Sequence, residues 1–440
     1  MSSSSANKEA LSSNEDKNDN SISSYLTKDP QMTYFKSVFR KHTNFSFDWK
    51  LLGTEKGNVD FGKKITFKLS NTNYDMLQDC VLKIILPQIF SSSSSDTIHW
   101  IDKVGHAIIK RVTLKIGNDE VISTYTGEYL EIINQLNMQN EKLETYYNMI
   151  GSNKSLLNRV VKTSAYALYI PLIFWFNKDI GLSLPLCAIR THDIIIDVEL
   201  QDLHKLYHKY NNSISVNVVS GQQLKANLLC KYYKLSDIER NRFSHIDHKY
   251  LIEQVQEIEK TVTASSNQEI NIPLTGFKLP VKELLWTTQP DDFYNDSNSY
   301  RLHANNSVDY NTPFIYSHTS EEGVGKNFCK NVTLNIHGMP YFEQMDPQIF
   351  NMYLPYKYHN RSPDAGIFIY PFSEKPNEYQ PSGCVNFTRL SSNDTTLRIK
   401  FNDLIDSFTG SSKDVKIKIY AVNYNIFNIK NGATTLSFFE

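Results

Sequence analysis

Short runs in which apolar and polar side chains alternate recur along most of this chain, and each predicts a strand with one face on a core. Ile65, Phe67 and Leu69 alternate with Thr66 and Lys68, and Val112, Leu114 and Ile116 alternate with Thr113 and Lys115. Val81 to Leu86 is a denser apolar run closed by Pro87, so a more deeply buried strand is expected there. Gly117-Asn118-Asp119 has the composition of a hairpin loop leading into Val121 to Thr124. Further strands are predicted at Tyr166 to Phe176 and Asp193 to Leu200, then at Glu269 to Leu274, Leu284 to Thr288, Val332 to Ile336, Gly366 to Tyr370, Cys384 to Arg389, Leu397 to Phe401 and Val415 to Val422. Helical spacing is confined to a few places. Gly127 to Asn137 sets Leu130, Ile133 and Leu136 on one face, a second helical segment surrounds Tyr146, and Asp346 to Leu354 is helix-like. Many short strands without a βαβ rhythm make the chain all-β, and two consecutive jelly-roll β-sandwiches are the expected architecture.

The junction between them is Leu228 to Gln256. Leu228 to Leu235 has the pattern of a strand, Ser236 to Arg242 that of a short charged turn or helix, and Tyr250 to Gln256 that of a new strand. An internal echo supports duplication: Val112-Thr113-Leu114-Lys115-Ile116-Gly117 recurs as Val332-Thr333-Leu334-Asn335-Ile336-His337-Gly338, half a chain later, and both copies run into a turn and a helical stretch. The expected organisation is a flexible polar arm over residues 1–31, a first jelly roll over 32–235, a connection over 236–249 and a second jelly roll over 250–440. Order is expected from about Met32, because Met1 to Thr27 is dominated by Ser, Asn and charges. Ser91 to Ser95 and Gln289 to Lys326 are expected to be exposed loops.

Composition narrows the function classes. The formal net charge is −1, and acidic residues outnumber lysines in the arm, so direct nucleic-acid binding is not expected. The 5 cysteines are widely spaced, which suggests reduced thiols rather than a disulfide framework or a zinc module. The N-terminal residues lack the apolar stretch of a secretory signal, and the longest apolar run, Ala165 to Phe176, is too short for a membrane-spanning helix. A soluble protein made inside a cell is the expectation.

Six segments resemble, in order, the major capsid proteins of nucleocytoplasmic large DNA viruses, a double jelly-roll family. They are Thr33 to Phe45, with Phe35, Arg40, His42, Thr43, Asn44 and Phe45; Tyr169 to Leu186, with Pro171, Gly181 and Pro185; the junction; Pro280 to Gln289; Tyr370 to Arg389, with Gln380, Pro381, Ser382 and Gly383; and Tyr420 to Lys430, with Tyr424 and Asn425. Phe39-Arg40-Lys41 departs from the family's usual Tyr-Arg-Arg at that place. Gln380-Pro381-Ser382-Gly383 is expected to make a tight turn aiming the strand from Cys384, and Gly181 with Pro185 a similar turn around Leu182. Phe35, Phe39 and Phe45 beside Lys36, Arg40 and Lys41 have the pattern of an amphipathic entry segment, either a helical turn on its own sheet or a docking surface for inner proteins. The resemblance implies a homotrimer forming a pseudo-hexameric capsomer, neighbouring capsomers, and minor capsid and inner membrane proteins beneath the shell as partners. It also implies assembly in the host cytoplasm, a place in the outer shell of the virion, and outer loops able to meet a host receptor.

A search for catalytic chemistry yields little. Gly323-Val324-Gly325-Lys326 has Asn327 where a phosphate-binding loop needs Ser or Thr, and is expected to be a flexible loop. His204 and His208 have the spacing of a metal pair without the glutamate of a zinc protease, and a solvated or structural pair is expected; His245 and His248 flank Asp247 in the junction, where hydrogen-bonding roles are expected. Asn153-Lys154-Ser155, Asn305-Asn306-Ser307 and Asn393-Asp394-Thr395 are glycosylation sequons of the kind an Asn-rich chain produces by chance. No cofactor, metal or enzymatic activity is expected. An assembly scaffold with the same fold, or a carbohydrate-binding jelly roll, is the alternative.

Overall fold

The computed structural model describes residues 22–69, 73–117, 120–209, 214–290, 313–314, 316–319, 325–390, 394–402 and 413–438. The chain divides into two units, Met1–Asn44 and Phe45–Glu440. In the first, Ile22–Thr27 is helical, although it lies in the expected flexible arm; residues 1–21 lie outside the described residues. The amphipathic entry segment forms no helix at Phe35 to Lys41, and Phe35 and Phe39 are exposed. A stretch this short gains too few hydrogen bonds to offset helix nucleation without a packed face.

In the second unit the strands of the first sandwich are β1 (Phe45–Leu52), β2 (Lys64–Lys68), β3 (Met76–Leu86), β4 (Ile109–Ile116), β5 (Val121–Tyr125), β6 (Tyr166–Pro171), β7 (Ile194–Leu200) and β8 (Lys225–Leu235). They form two antiparallel sheets of order β1-β8-β3-β6 and β2-β7-β4-β5. Helix α1 (Gly127–Asn137) follows β5, and α2 (Asp237–His245) leads out of β8. The second sandwich contains β9 (His248–Ala264), β10 (Glu269–Pro273), β11 (Pro280–Pro290), β12 (Cys329–Ile336), β13 (Met339–Met345), β14 (Ile367–Pro371), β15 (Thr396–Phe401) and β16 (Lys413–Lys430). Its sheets run β9-β16-β11-β14 and β10-β15-β12-β13, the same order with each strand replaced by its counterpart. Even the short additions match: Leu184–Pro185 pairs with the start of β3, and Val385–Asn386 with the start of β11. The sequence echo falls on β4 and β12, which occupy the same place in their sheets.

Each core lies between the two sheets of a sandwich. Ile65, Phe67, Leu82, Ile84, Leu114 and Leu228 are fully buried in the first, and Trp286, Val332, Leu334, Ile399, Ile417 and Ile419 in the second. Burial of one such side chain stabilises by about 1.5–3 kcal/mol. Strand β16 pairs with β9 from His248↔Ile429 to Ala264↔Lys413, far beyond the predicted Val415 to Val422. It lacks clean alternation because Tyr420 and Val422 on its other face are buried too.

Several expectations are corrected. The run Tyr166 to Phe176 is a strand only to Pro171; beyond it the backbone finds other acceptors, with Ile173 N bonded to the Tyr125 hydroxyl at 3.1 Å, and Trp175–Lys178 is one helical turn. The helical stretch expected from Asp346 to Leu354 is present: it starts at Pro347, passes through a π turn (Ile349–Tyr353) and runs on into α3 (Leu354–Tyr358). Cys384 to Arg389 contributes only Val385–Asn386 to a sheet before a 3₁₀ turn capped by the Asn386 side chain. Ser91 ends a short buried strand, Ile89–Ser91, instead of opening a surface loop. Within Gln289 to Lys326, Phe314 and Tyr316 are buried, and Ser317–Thr319 pairs with Gly325–Asn327; the rest lies mostly outside the described residues. Strands β1 and β13 were not among those predicted.

Candidate assembly surfaces

The outer face of sheet β9-β16-β11-β14, the face turned away from its own core, is already occupied. Leu285, Ile367, Ile369, Tyr420 and Val422 project from it into the apolar cluster of the first sandwich. The covering elements are β5, α1 and the Trp175–Lys178 turn. Helix α1 starts at Thr126, whose hydroxyl accepts from Tyr129 N at 3.3 Å. It lies so close to the chain before β4 that a Cβ on Gly127 would fall 2.1 Å from the His106 carbonyl oxygen. From that position Tyr129 packs on Tyr420 at 5.4 Å between ring centroids, and the Leu136 carbonyl accepts from Asn360 N and Arg361 N at 3.1 and 3.0 Å. Gln254 Nε2 donates to the Ile122 carbonyl at 2.6 Å.

Buried charges pin this joint. Glu131 on α1 accepts from Lys103 Nζ, His106 Nδ1 and Gln135 Nε2 at 2.6, 2.6 and 2.7 Å, and Gln135 also donates to Asp364 of the second sandwich at 2.9 Å. Burial alone would raise the Glu131 carboxyl, but Lys103 and then His106 outweigh it and hold it well below the usual carboxylate range. Glu253 on β9 bridges Lys178 of the first sandwich and Lys282 of the second, at 2.5 and 2.8 Å. Glu128 pairs with Lys418 across the joint, and His359 spans Asn137 and Glu283 at 2.9 and 3.1 Å.

Two other faces expose apolar side chains. On β1 the apolar residues point away from the core: Phe47, Trp49 and Leu51 are 58%, 42% and 53% exposed, while Asp48 on the other side accepts from the Tyr74 hydroxyl at 2.6 Å. Across β8, half-buried Leu229 lies on the same side and Tyr233 is buried against the Phe45 and Phe47 rings, while Lys231 lies 5.0 Å from the Phe47 ring centre and 5.9 Å from that of Trp49. In the second sandwich the Ile349–Tyr358 helical segment shows Met352, Tyr353 and Tyr356 to solvent, and Met339 and Tyr341 of β13 are exposed as well. Patches of this kind mark interaction sites.

The residues singled out in the sequence do not converge on one site. Phe35, Arg40, His42, Thr43 and Asn44 lie in the first unit, all exposed, and Phe45 opens β1. Pro171 ends β6 opposite Val81. Gly181 sits in a 3₁₀ turn held by Asp179 Oδ1, and Pro185 pairs with Met76, so the two do not form one turn between strands. Residues Pro381 to Gly383 make no tight turn: Ser382 accepts from Glu374 N and Lys375 N as the return leg of a longer loop. Gly383 has φ 136°, and a Cβ there would stand 2.9 Å from the Phe372 carbonyl oxygen, so the position suits glycine for close approach. Gln380 precedes that leg and is exposed. Asn425 is buried in β16 and donates to Gln254 Oε1 and the Phe438 carbonyl at 2.8 and 2.9 Å, beside buried Tyr424.

The histidines serve packing and hydrogen bonding. His204 is exposed, whereas His208 is buried against the His99 ring at 5.2 Å. His245 and His248 lie 2.8 and 2.7 Å from the carbonyls of Asn241 and Phe243 at the end of α2. Among the described residues no three His, Cys, Asp or Glu side chains cluster as metal ligands. Asn153 is occupied as a helix cap and by the Tyr166 hydroxyl; Asn305 and Asn393 of the other sequons lie outside the described residues, as do Gly323 and Val324.

Comparison with known proteins agrees with this architecture. Residues 33–232 match the family model described as major capsid protein N-terminus, and residues 239–435 match that of the large eukaryotic DNA virus major capsid protein. The major capsid protein of Pyramimonas orientalis virus is 30% identical, the alignment covering 94% of this chain and 96% of the relative. That of Phaeocystis pouchetii virus is 27% identical with the same coverage. The crystal structure of PBCV-1 VP54 superposes with a TM-score of 0.75 at 24% identity, over 93% of this chain and 100% of that one.

Proposed function

Since this chain belongs to the major capsid proteins of large eukaryotic DNA viruses and forms their capsid shell, we propose that its working unit is a homotrimer. Each copy brings two sandwiches of identical strand order, so a closed ring of three copies sets six equivalent modules in a pseudo-hexagonal capsomer. The repetition of that order, strand for strand, is the observation that carries the reading. Of the expected modules, 32–235 and 250–440, the first sandwich begins with β1 at Phe45, residues 32–44 belonging to the other unit, and the second begins with β9 at His248, which shortens the expected connection 236–249 to 236–247.

In this reading capsomers are made in the host cytoplasm and tile the shell against neighbouring capsomers. Minor capsid proteins and inner membrane proteins lie beneath, and outer loops present the virion surface to a receptor. Phe35, Phe39 and Arg40, exposed and ahead of β1, suit contact with the inner proteins. The remaining family positions are structural: Pro171, Pro185 and Gly383 shape strand ends, and Asn425 ties β16 to β9. Association by buried surface needs no reaction and no cofactor. Size-exclusion chromatography with light scattering, followed by negative-stain imaging, tests it. A mass near three times 50.8 kDa with a hexagonal outline is expected. A monomer at every concentration, even with a virus-supplied folding partner, refutes it.

A further inference from the structure

We propose that Cys80 and Cys230 become joined by a disulfide across β3 and β8 in the finished shell, a covalent tie closed inside the core of the first sandwich.

The two residues are direct partners in the sheet, Cys230 of β8 opposite Cys80 of β3, and their sulfurs lie 3.8 Å apart with both side chains fully buried. The Cys80 carbonyl accepts from Leu172 N, just beyond β6, at 2.9 Å, so the Cys80 backbone turns its hydrogen-bonding groups toward β6 and away from β8. Across from β8 it therefore stands in a non-hydrogen-bonded pair, the closer kind, with Cα atoms about 4.5 Å apart. That spacing falls within the range of about 4.4–6.8 Å that a disulfide spans, so side-chain rotation brings the sulfurs to bonding distance while the strands stay in register.

Packing does not require two thiols at this place. Strands β11 and β16 are the counterparts of β3 and β8, and the two pairs carry a bulge at the same step: Lys231↔Asp79 is followed by Tyr232↔Leu77, and Val422↔Glu283 by Asn423↔Val281. Aligned on that bulge, Cys230↔Cys80 falls on Ala421↔Leu284, which is likewise fully buried. A small and a large hydrocarbon side chain fill the position in one sandwich, and two sulfur-bearing side chains fill it in the other.

Closure is a two-electron exchange. The thiolate of one cysteine attacks a sulfur of a small disulfide such as oxidised glutathione and releases one glutathione thiolate; the second cysteine then attacks the protein-bound sulfur and releases the other. The cysteines are oxidised, the glutathione disulfide is reduced, and the two thiol protons leave on two glutathione molecules. Burial pushes the Cys80 thiol well above its ordinary value, so exchange is fast while β8 is undocked from β3 and slow in the folded chain. The two cysteines stand 150 positions apart, and the tie holds β8, the strand that leads through α2 to the second sandwich, against the middle of the first.

Chain from purified particles, and full chain refolded from urea in glutathione buffer or in a thiol reductant, supply the test. Alkylated in denaturant, particle chain should carry the label on Cys187, Cys329 and Cys384, and on Cys80 and Cys230 only after reduction. Refolding with glutathione should raise the melting midpoint by about 4–16 °C over the reduced chain. The native reduced chain should oxidise roughly tenfold more slowly than the refolding one. Cys80→Leu/Cys230→Ala, which copies the pair of the second sandwich, should melt at one temperature in both buffers. Free Cys80 and Cys230 in particle chain, or a bond from either to another cysteine, overturns the proposal, as does an oxidised chain no harder to melt than the reduced one. These readouts use the wild-type chain and stand even where the variant fails to fold.

Discussion

Replacement of Glu131 by glutamine tests whether α1, the helix that covers the joint between the sandwiches, is held on its own sandwich by buried charges. The amide keeps the size of the side chain but removes the negative charge on which Lys103 and His106 converge at 2.6 Å. Glu131 and Lys103 are 2% and 11% exposed, so little solvent reaches the lysine left behind. Breaking one side of a buried pair costs about 3–5 kcal/mol. For a module of roughly 150–250 residues each kcal/mol moves the midpoint by about 2–4 °C, so a fall on the order of 6–20 °C is expected. Differential scanning calorimetry of Glu131→Gln, Lys103→Met and the double variant measures it. The double variant should cost less than the two singles added, because neither charge is then stranded. A loss below about 1 kcal/mol for Glu131→Gln, or strict additivity in the cycle, refutes the argument.

The same pairs set a pH dependence. Glu131, Glu253 and Glu283 are each opposed by burial but held below their ordinary value by Lys103, Lys178 and His359 respectively. Their contribution is therefore complete above the unfolded carboxylate value of about 4.3 and is lost as pH falls through the lower folded values. Urea midpoints measured from pH 6 to pH 3 should fall below about 4.3, less steeply in Glu131→Gln; a midpoint independent of pH over that range contradicts the assignment. The thiols provide an independent check of packing. Cys384 is exposed, while Cys80, Cys230 and Cys329 are buried, and burial pushes Cys329 up to about 12. Ellman's reagent should label Cys384 in the native, reduced chain and the three buried thiols only after unfolding, as peptide mapping would show.

How much of this was legible in the sequence differs from element to element. Alternation located β2 and β4, apolar and β-branched runs located β7, β10 and β15, and the 3.6-residue spacing of Leu130, Ile133 and Leu136 placed α1 from end to end. The echo in β4 and β12 foretold the repeated strand order. Misses came where a strand lacks a polar face, as in β16, or where side chains and local turns take over the backbone, as after Pro171. The assembly surfaces were not legible. FSFDWKLL alternates as well as any buried strand, but alternation gives a period and not a direction.

The sequence by itself determined most of the strands, their duplication, the jelly-roll class and the family, because these follow from side-chain periodicity and from segments kept in order along the chain. Only the tertiary structure decided that α1 is covered while its counterpart at Tyr356 is bare, and that Phe47 and Trp49 face outward. It also brought Glu131, Lys103 and Asp364 to one place. Burial depends on what lies across from a residue, and partners more than two hundred positions away, such as Gln135 and Asp364, leave no periodic trace in either neighbourhood.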